Sequence, residues 1–448
     1  MGYSKKLVAR QTATGRPVRV GLVGAGQMGS GFIAQISRQP GMDITAVADI
    51  AADRAVTALA NAGVTDVQQS ADLAELAATV EAGGHVVVTD AVDLTRLPVD
   101  IVIECSGVPE VAAKVALASI LAGKDVALMT VEADVTVGLL LAKLAQRSGV
   151  VYTVCRGDEP VECLKLMEFV EDIGLDVVCV GKGKNNPLRP TATPEELTSE
   201  AAEKGMNPRM LCSFVDGTKT MIEMADLANA ANLELSQRGM IGPESTVAGL
   251  SEVFRPQADG GILDRSGVID YATGEVAPGV FVIGKSTDPV VSEELRYLKL
   301  GEGPYFSFYR PYHLASIEAV LSIGEAVLER QPSLAPVAWN AEVTAVAKRD
   351  LKAGEKIDGI GGSTVHGVAV PAHEAAAGRE LPIGLASAAT LIRDVPAGVP
   401  VTYDDVELDE TRTIVVLRKL QDLLLKDGNL SAIDLIFQDT VQKENTLR

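Results

Sequence analysis

Positive charge is in short supply. The 448 residues carry 40 Lys and Arg against 60 Asp and Glu, a formal net charge of -20. That balance excludes a general nucleic-acid or anionic-membrane binder, because a phosphate-lined surface would be repelled over most of the chain. Cysteine is sparse too: five residues, at 105, 155, 163, 179 and 212, form no CxxC or metal-ligand spacing, so a disulfide scaffold is excluded and the thiols read as small buried groups in a reducing compartment. The four histidines, at 85, 313, 366 and 373, make no zinc constellation. Aromatics reach only 4%, and five of them fall in the single stretch YFSFYRPYHLAS, beside Arg310 and His313. His313 there reads as a packing or hydrogen-bonding residue at a helix start. No apolar run is long enough for a membrane span, since VGLLLAKLA is broken by Lys143. The basic N-terminal stretch has no apolar core, so no signal peptide is expected and a cytoplasmic setting is. What is abundant is apolar material, at 47%, together with 42 Gly and 21 Pro, which predicts a large core, many turns and two to four domains.

The first domain is legible from a glycine pattern in context. VRVGLV at 18–23 reads as a strand, GAGQMG follows, and SGFIAQI continues as an apolar helix. Gly24 permits the tight turn, Gly26 lets a pyrophosphate approach the backbone, and Gly29 permits close helix–strand packing, with Gln27 and Met28 at the helix N-terminus facing the phosphates. A second strand, ITAVAD, ends in Asp49, 20 residues after Gly29 and suited to a ribose hydroxyl. Asp49 favours NAD, whereas Arg54, five residues on, would suit the 2′-phosphate of NADP if Asp49 turns aside. VDIVIECSG at 99–107 opens into a loop with Cys105, Ser106 and Gly107 as cofactor candidates, and 110–122 reads as a helix. KDVALMTVEAD at 124–134 gives a further strand and loop, in which Thr130, Val131 and Glu132 either line the nicotinamide edge or form a plain connection. Such alternation specifies an open parallel sheet, a Rossmann NAD(P)-binding domain over 1–155.

Residues 156–335 break that rhythm and are expected to form an α+β catalytic domain. A helix over about 158–173 and a strand over 175–180 lead into GKGKNN, whose Lys182, Lys184 and Asn186 on a flexible loop suit an anionic or polyhydroxylated ligand, or else a solvated turn. Lys204 and Arg209 lie around a helix end, either as surface residues or as part of a phosphate pocket. DGTKTMIEMAD begins a helix at Asp216–Gly217–Thr218 and sets Lys219, Glu223 and Asp226 at i, i+4 and i+7 on one face. Lys219 would stabilise or protonate a carbonyl-derived oxygen. Glu223 or Asp226 would accept a hydroxyl proton or bind a divalent cation. An exposed salt-bridged face, with Met221, Met224 and Leu227 opposite, is the plain alternative. The loop 236–244, with Arg238 and Gly239, is a candidate closure over substrate.

Beyond Pro332 and Pro336, AKRDLKAGEKI at 347–357 is echoed by LIRDVPAGVPV at 391–401, which indicates a small β-rich module within 336–448. An amphipathic helix over 415–427 and a charged tail, expected to fray, follow it.

Together the Rossmann portion and DGTKTMIEM resemble a diverged homoserine dehydrogenase, and the C-terminal repeat resembles an SAF domain. Their combination is similar to the deoxyxylulose-phosphate-reductoisomerase-like, or DRL, family. That resemblance implies NADPH-dependent conversion of 1-deoxy-D-xylulose 5-phosphate to 2-C-methyl-D-erythritol 4-phosphate in isoprenoid-precursor synthesis, a homodimer, and binding of phosphonate inhibitors such as fosmidomycin. It implies NADPH in place of NAD, a divalent cation (Mg²⁺ or Mn²⁺) by mechanistic analogy, a phosphorylated small-molecule substrate held by Lys204, Arg209 or Lys182, and Lys219 at the developing oxygen charge. The homoserine-dehydrogenase element is Asn-Gly-Thr-like, whereas this chain has Asp216 at its first position. An NAD(P)-dependent homoserine or sugar-alcohol dehydrogenase, and a cofactor- or carbohydrate-binding sensor, are the rival expectations.

Overall fold

Short, continuously apolar strands between helices need both faces covered, and residues 18–154 satisfy that need with an all-parallel sheet. In the computed structural model, which describes residues 2–427, its strands are β1 (Val18–Val23), β2 (Met42–Ala48), β3 (Val67–Gln68), β4 (His85–Val88), β5 (Ile101–Glu104), β6 (Asp125–Leu128) and β7 (Tyr152–Val154). They lie in the order β3-β4-β2-β1-β5-β6-β7. The order reverses at β1, so the carboxyl ends of β1 and β5 open the crevice in which such folds bind ligands. The turn after β6 is shorter than expected: Thr130 already stands at the N-cap and Val131 and Glu132 begin the helix Val131–Ser148.

The chain forms two units. Among the described residues, the first takes 2–156, Ala315–Ala335 and 410–427; the second takes Gly157–Leu314 and Pro336–Asp409. These units depart from the continuous division expected at 155 and 335. Apolar matching explains the departure. The helix Ala315–Gly324 buries Ala319, Val320 and Ile323 with Phe32, Ile33 and Ile36 of the helix Gln27–Ile36. The terminal helix Thr413–Asp427 returns to the first unit as well. Its first backbone N–H groups, on Thr413 and Ile414, donate to the Glu110 carboxylate at 2.9 Å each. Gln421 accepts from Leu140 N–H and donates to Thr136 C=O, two backbone groups one helical turn apart. The charged tail expected to fray lies outside the described residues.

In the second unit, β8 (Asp176–Gly183) pairs in parallel with β11 (Val268–Gly274) and antiparallel with β12 (Val280–Lys285), which pairs with β13 (Tyr305–Arg310). Short β9 (Glu234–Leu235) and β10 (Glu244–Ser245) add to β11. The helix Glu159–Asp172 packs on β8 and β12, and the helix Thr218–Ala231 packs beside it. The module after 336 contains β14 (Ala341–Ala347) paired with β15 (Val365–Pro371), and β16 (Ala389–Leu391) paired with β17 (Val406–Leu408). Its two sequence echoes pair with each other. Leu351 and Val395 exchange backbone hydrogen bonds, Asp394 accepts from Ala353 N–H and Asp350 accepts from Ala397 N–H, both at 2.9 Å. Each repeat's Asp thus fixes the Ala-Gly turn of the other. Among the described residues no helix is long and apolar enough to cross a membrane.

Candidate active site

The three motif glycines differ in what a side chain would meet. Gly24 has a φ of 93°, and a Cβ there would lie 2.9 Å from Cys105 O. A Cβ on Gly29 would sit 1.8 Å from Gly24 O, whereas one on Gly26 would meet nothing within 4 Å. Gly24 and Gly29 therefore close the turn against its own backbone, and Gly26 leaves room on the open side. A cleft of about 710 Å³ begins there, lined by Gly24, Gly26, Asp49, Arg54, Cys105 and Ser106 among others. Gln27 and exposed Met28 open the helix beside it. This cradle fits a dinucleotide: backbone can approach the phosphates and the helix N-terminus faces them.

Asp49 is buried, and both its oxygens are occupied. Oδ2 accepts from Ala25 N–H and Oδ1 from Ala51 N–H, each at 2.8 Å. Arg54 lies 3.7 Å from Oδ2 with its side chain more than half exposed. Asp49 thus ties the glycine turn to the end of β2, and the exposed charge at the ribose end is a cation. Across the crevice, Cys105 Sγ donates to Val23 O and Gly24 O, and burial pushes its thiol well up. Gly107 N–H donates to Thr130 Oγ1 at 3.0 Å.

The second unit gathers a denser set of charges. Asp158 N-caps the helix Glu159–Asp172 by accepting from Glu159 N–H, and Pro160 starts its first turn. Lys182 Nζ lies 2.7 Å from Glu159 Oε1 and also donates to Glu223 Oε2. Lys219 stands 3.6 Å from Glu223, one turn before it on the helix Thr218–Ala231, and Asp226 is fully buried further along. His313 hydrogen-bonds Gly157 O through Nδ1 at 3.0 Å and places Nε2 3.3 Å from Glu159. Beneath this set, Glu162 accepts from Gly157 N–H and pairs with Arg310, which fixes the turn carrying Asp158.

The electrostatics separate the carboxyls. Burial pushes Asp158 well up, against Lys219, and Glu223 adds to the rise. Burial alone would raise Glu159 also, but Lys182 and His313 hold it far below the usual carboxylate range. Glu223 is raised by burial and by Glu159. Burial would lower Lys182, yet Glu159 and Glu223 keep it firmly an ammonium. The site therefore sets a carboxyl that burial pushes up, a carboxylate held down and a fixed cation side by side. One carboxylate oxygen each from Asp158, Glu159 and Glu223 lie within 4.8 Å of one another, and Asp158 Oδ2 has no hydrogen-bond partner. An all-oxygen donor set with an orphaned buried oxygen fits a hard divalent cation.

Other sequence candidates are distributed differently. Lys182 belongs to β8, not to a flexible loop, and both it and Lys184 are buried. The glycines of that stretch serve close strand packing: a Cβ on Gly181 would lie 2.0 Å from Asp270 O, and one on Gly183 2.3 Å from Ala277 N. Lys184 donates to Asn186 O and Phe214 O, and burial with nearby Lys182 lowers it to about 8. Lys204 is paired with Glu200 on an exposed helix, where Arg189 meets the same acid, and Arg209 donates to Asp358 O. The six cations between 182 and 219 thus divide into an inner group (182, 184 and 219) and an outer one. The face bearing Lys219, Glu223 and Asp226 is not a solvated salt-bridged surface, because their side chains are 18%, 2% and 0% exposed. Arg238 pairs with Glu380.

Asp216 has a different task. It accepts from Thr218 N–H and pairs at 2.8 Å with Lys348, whose side chain is also buried, while Thr218 Oγ1 accepts from Gly367 N–H. A carboxylate is satisfied where an amide is usual because a buried lysine sits opposite. Asp158, Glu159 and the second nitrogen of His313 escaped the sequence reading. The adjacent acids before Pro160 were the available signal, but they also read as an ordinary helix start.

Residues 157–319 match the family model described as the catalytic domain of oxidoreductase DRL. Residues 24–154 match the NAD-binding domain of homoserine dehydrogenase, and residues 342–407 match the SAF domain. No curated protein matches the chain. Among solved structures, the chain is similar to myo-inositol dehydrogenase from Lactobacillus casei in complex with NAD(H) and myo-inositol, at 16% identity over 72% of this chain and 90% of that one, TM-score 0.38. A probable dehydrogenase from Thermotoga maritima is 16% identical over 71% of this chain and 90% of that one, TM-score 0.38. The 1-deoxy-D-xylulose 5-phosphate reductoisomerase from Zymomonas mobilis in complex with NADPH is 19% identical over 46% of this chain, TM-score 0.32, and the match spans 57% of that enzyme.

Proposed function

We propose that the chain is an NAD(P)-dependent oxidoreductase of the DRL type and, within that type, a reductoisomerase, on the strength of a DRL-catalytic-like region, a homoserine-dehydrogenase-type NAD-binding region and an SAF region. It converts 1-deoxy-D-xylulose 5-phosphate to 2-C-methyl-D-erythritol 4-phosphate with NADPH, in the cytoplasm, as a homodimer open to phosphonate inhibitors. The supporting observation is Lys182 shared between Glu159 and Glu223, with Asp158, which burial pushes up, beside them. Skeletal rearrangement of a ketose phosphate needs a hydroxyl proton removed, the resulting oxygen charge held, and a proton returned. Glu159 accepts the hydroxyl proton. Lys182 and Lys219 hold the charge on oxygen, and Asp158 Oδ2 returns a proton. Lys184, lowered to about 8, regains full charge when the substrate phosphate arrives and holds that end.

NADPH, when bound in the cleft of the first unit, supplies the hydride. A divalent cation, if held by Asp158, Glu159 and Glu223, would displace the Asp158 proton and neutralise substrate oxygens in place of the proton transfers assigned to Asp158 and Glu159. Asp49, occupied by two backbone donors, does not turn its carboxylate on a 2′-phosphate, and Arg54 is available to it. Arg54→Ala is therefore expected to weaken NADPH about tenfold and leave NADH unchanged, a difference of about 1.4 kcal/mol, measurable by titration calorimetry with each cofactor. Equal loss for both would remove Arg54 from the choice of cofactor.

The direct test supplies deoxyxylulose phosphate and NADPH to the purified protein, with and without Mg²⁺ or Mn²⁺, and identifies the product by NMR. Methylerythritol phosphate is the expected product. Its absence from folded protein overturns the proposal, and reduction of added NAD⁺ or NADP⁺ by homoserine or a sugar alcohol would replace it with a simple dehydrogenase.

A further inference from the structure

The terminal helix meets the cofactor cleft through one side chain. Five charged residues line that cleft: Asp49, Arg54, Asp90, Glu110 and Lys114. Each of its three acids is held by backbone N–H groups. Asp49 accepts from Ala25 and Ala51, and Asp90 accepts from Val92 at 2.7 Å. Glu110 accepts from Thr413 and Ile414, one N–H to each carboxylate oxygen. The two cations are not held in this way. Arg54 stands 3.7 Å from Asp49 with its side chain more than half exposed, and exposed Lys114 forms no ion pair among the described residues. In a chain with a net charge of -20, this cleft keeps its acids occupied and its cations open.

On local grounds Lys114 ought to be paired. It lies four residues after Glu110 on the helix Pro109–Leu121, and an acid four residues before a lysine is the favoured order for such a pair. The terminal helix Thr413–Asp427 takes the carboxylate instead. Its first N–H groups have no acceptor within their own helix, and two of them reach Glu110 at 2.9 Å each. That helix is fastened independently of Glu110. Ile414, Val415 and Leu417 are buried, and Gln421 bridges Leu140 N–H and Thr136 C=O of the helix Val131–Ser148. Its N-terminus is therefore a fixed partner for the acid.

We propose that Lys114 is a phosphate-binding residue of the cofactor cleft, and that the terminal helix keeps it available by holding Glu110 away from it. This assignment rests on the cleft holding a nicotinamide cofactor and not on the reductoisomerase reaction. Every such cofactor brings a pyrophosphate, and NADPH brings a 2′-phosphate as well; an ammonium on the cleft wall suits either. With the terminal helix in place, the Glu110 charge is met by that helix's N-terminus. With those donors removed, the carboxylate turns to Lys114. The cleft then loses a cation and gains an acid beside the phosphates. The end of the chain thereby sets the charge of a cleft built by its beginning.

The test titrates the full chain with NADH and with NADPH by fluorescence, at low and at high salt. Lys114→Met is expected to weaken binding about tenfold, as for one lost charge-assisted hydrogen bond, and the loss should shrink as salt screens the contact. Equal loss for both cofactors assigns Lys114 to the pyrophosphate, and loss for NADPH alone assigns it to the 2′-phosphate. Thr413→Pro removes one of the two donors at the first helical position, where proline is tolerated. It is expected to weaken the same cofactor about three- to tenfold. Adding Glu110→Gln should restore the affinity, because the released side chain then carries no charge. A helix with a purely structural role would give no such rescue. Unchanged affinity in Lys114→Met overturns the phosphate assignment, and because Lys114 is exposed that variant is decisive even if Thr413→Pro does not fold. A Thr413→Pro protein that binds like the parent, or that Glu110→Gln does not rescue, overturns the part given to the terminal helix. A parent that binds neither cofactor removes the cofactor reading of the cleft, and this assignment with it.

Discussion

Lys182→Met is expected to cost the second unit about 3–5 kcal/mol of stability, the range for removing one partner of a buried charged set, and to lower turnover at least about 10²-fold. Lys182 is buried between Glu159 and Glu223, and Glu223 is itself almost fully buried. Methionine preserves length and packing but leaves those carboxyls without their shared ammonium. The neighbouring groups do not substitute, since Lys219 stands at 3.6 Å and His313 at 3.3 Å from single members of the set. Chemical denaturation measures the first effect, and product formation measures the second. Adding Glu223→Gln should return part of the stability, because the uncompensated charge is removed, without returning turnover. A Lys182→Met protein that melts with the parent would show that the ammonium contributes no net stability.

Gly29→Ala is expected to reduce cofactor affinity about 10²-fold, as for a misplacement of about an ångström, and to cost about 1–3 kcal/mol through overpacking. The added methyl would fall 1.8 Å from Gly24 O. That obstacle is backbone, so no rotamer change relieves it, and the helix must lift away from the turn that faces the phosphates. Gly26→Ala is the informative contrast. Its methyl meets no protein atom within 4 Å, so the fold should melt normally while the cofactor finds its approach filled. Paired melting curves and NADPH titrations distinguish the two, and equal behaviour of both variants would contradict the separate roles.

These contrasts also show which parts of the molecule were readable from residues alone. The strand–glycine–helix unit is a local object: its turn, close approach and helix start lie within a few residues, so spacing carries the geometry. The Ala-Gly echoes at 347–357 and 391–401 were visible as repeats, although their mutual pairing through Asp350 and Asp394 needed the fold. The acid–lysine set is the opposite case. Asp158 and Glu159 come from a helix start, Lys182 from a strand, Glu223 from a second helix and His313 from the residues after β13. No spacing rule links these positions, because packing alone brings them together. Lys182 was misplaced on a loop for a related reason. Glycine marks both turns and tight strand contacts, and only the Asp270 and Ala277 backbones crowding Gly181 and Gly183 distinguish the two uses. Lys204 and Arg209 were grouped with it by charge, yet an amphipathic surface helix and a loop carbonyl take them elsewhere.

The interleaving of the units bears on how the protein is made. The chain leaves the first unit after Arg156, returns at Ala315, leaves again after Ala335 and returns at Glu410. During synthesis the nucleotide-binding sheet is therefore finished long before its cover arrives. Until the helix Ala315–Gly324 emerges, Phe32, Ile33 and Ile36 lack one of their packing partners, and Glu110 waits longer still for the helix it caps. The cofactor domain cannot be completed as an early, self-contained folding event on the ribosome. Its last pieces follow the segments of the second unit along the chain, so the packed cofactor domain and the second unit are produced together.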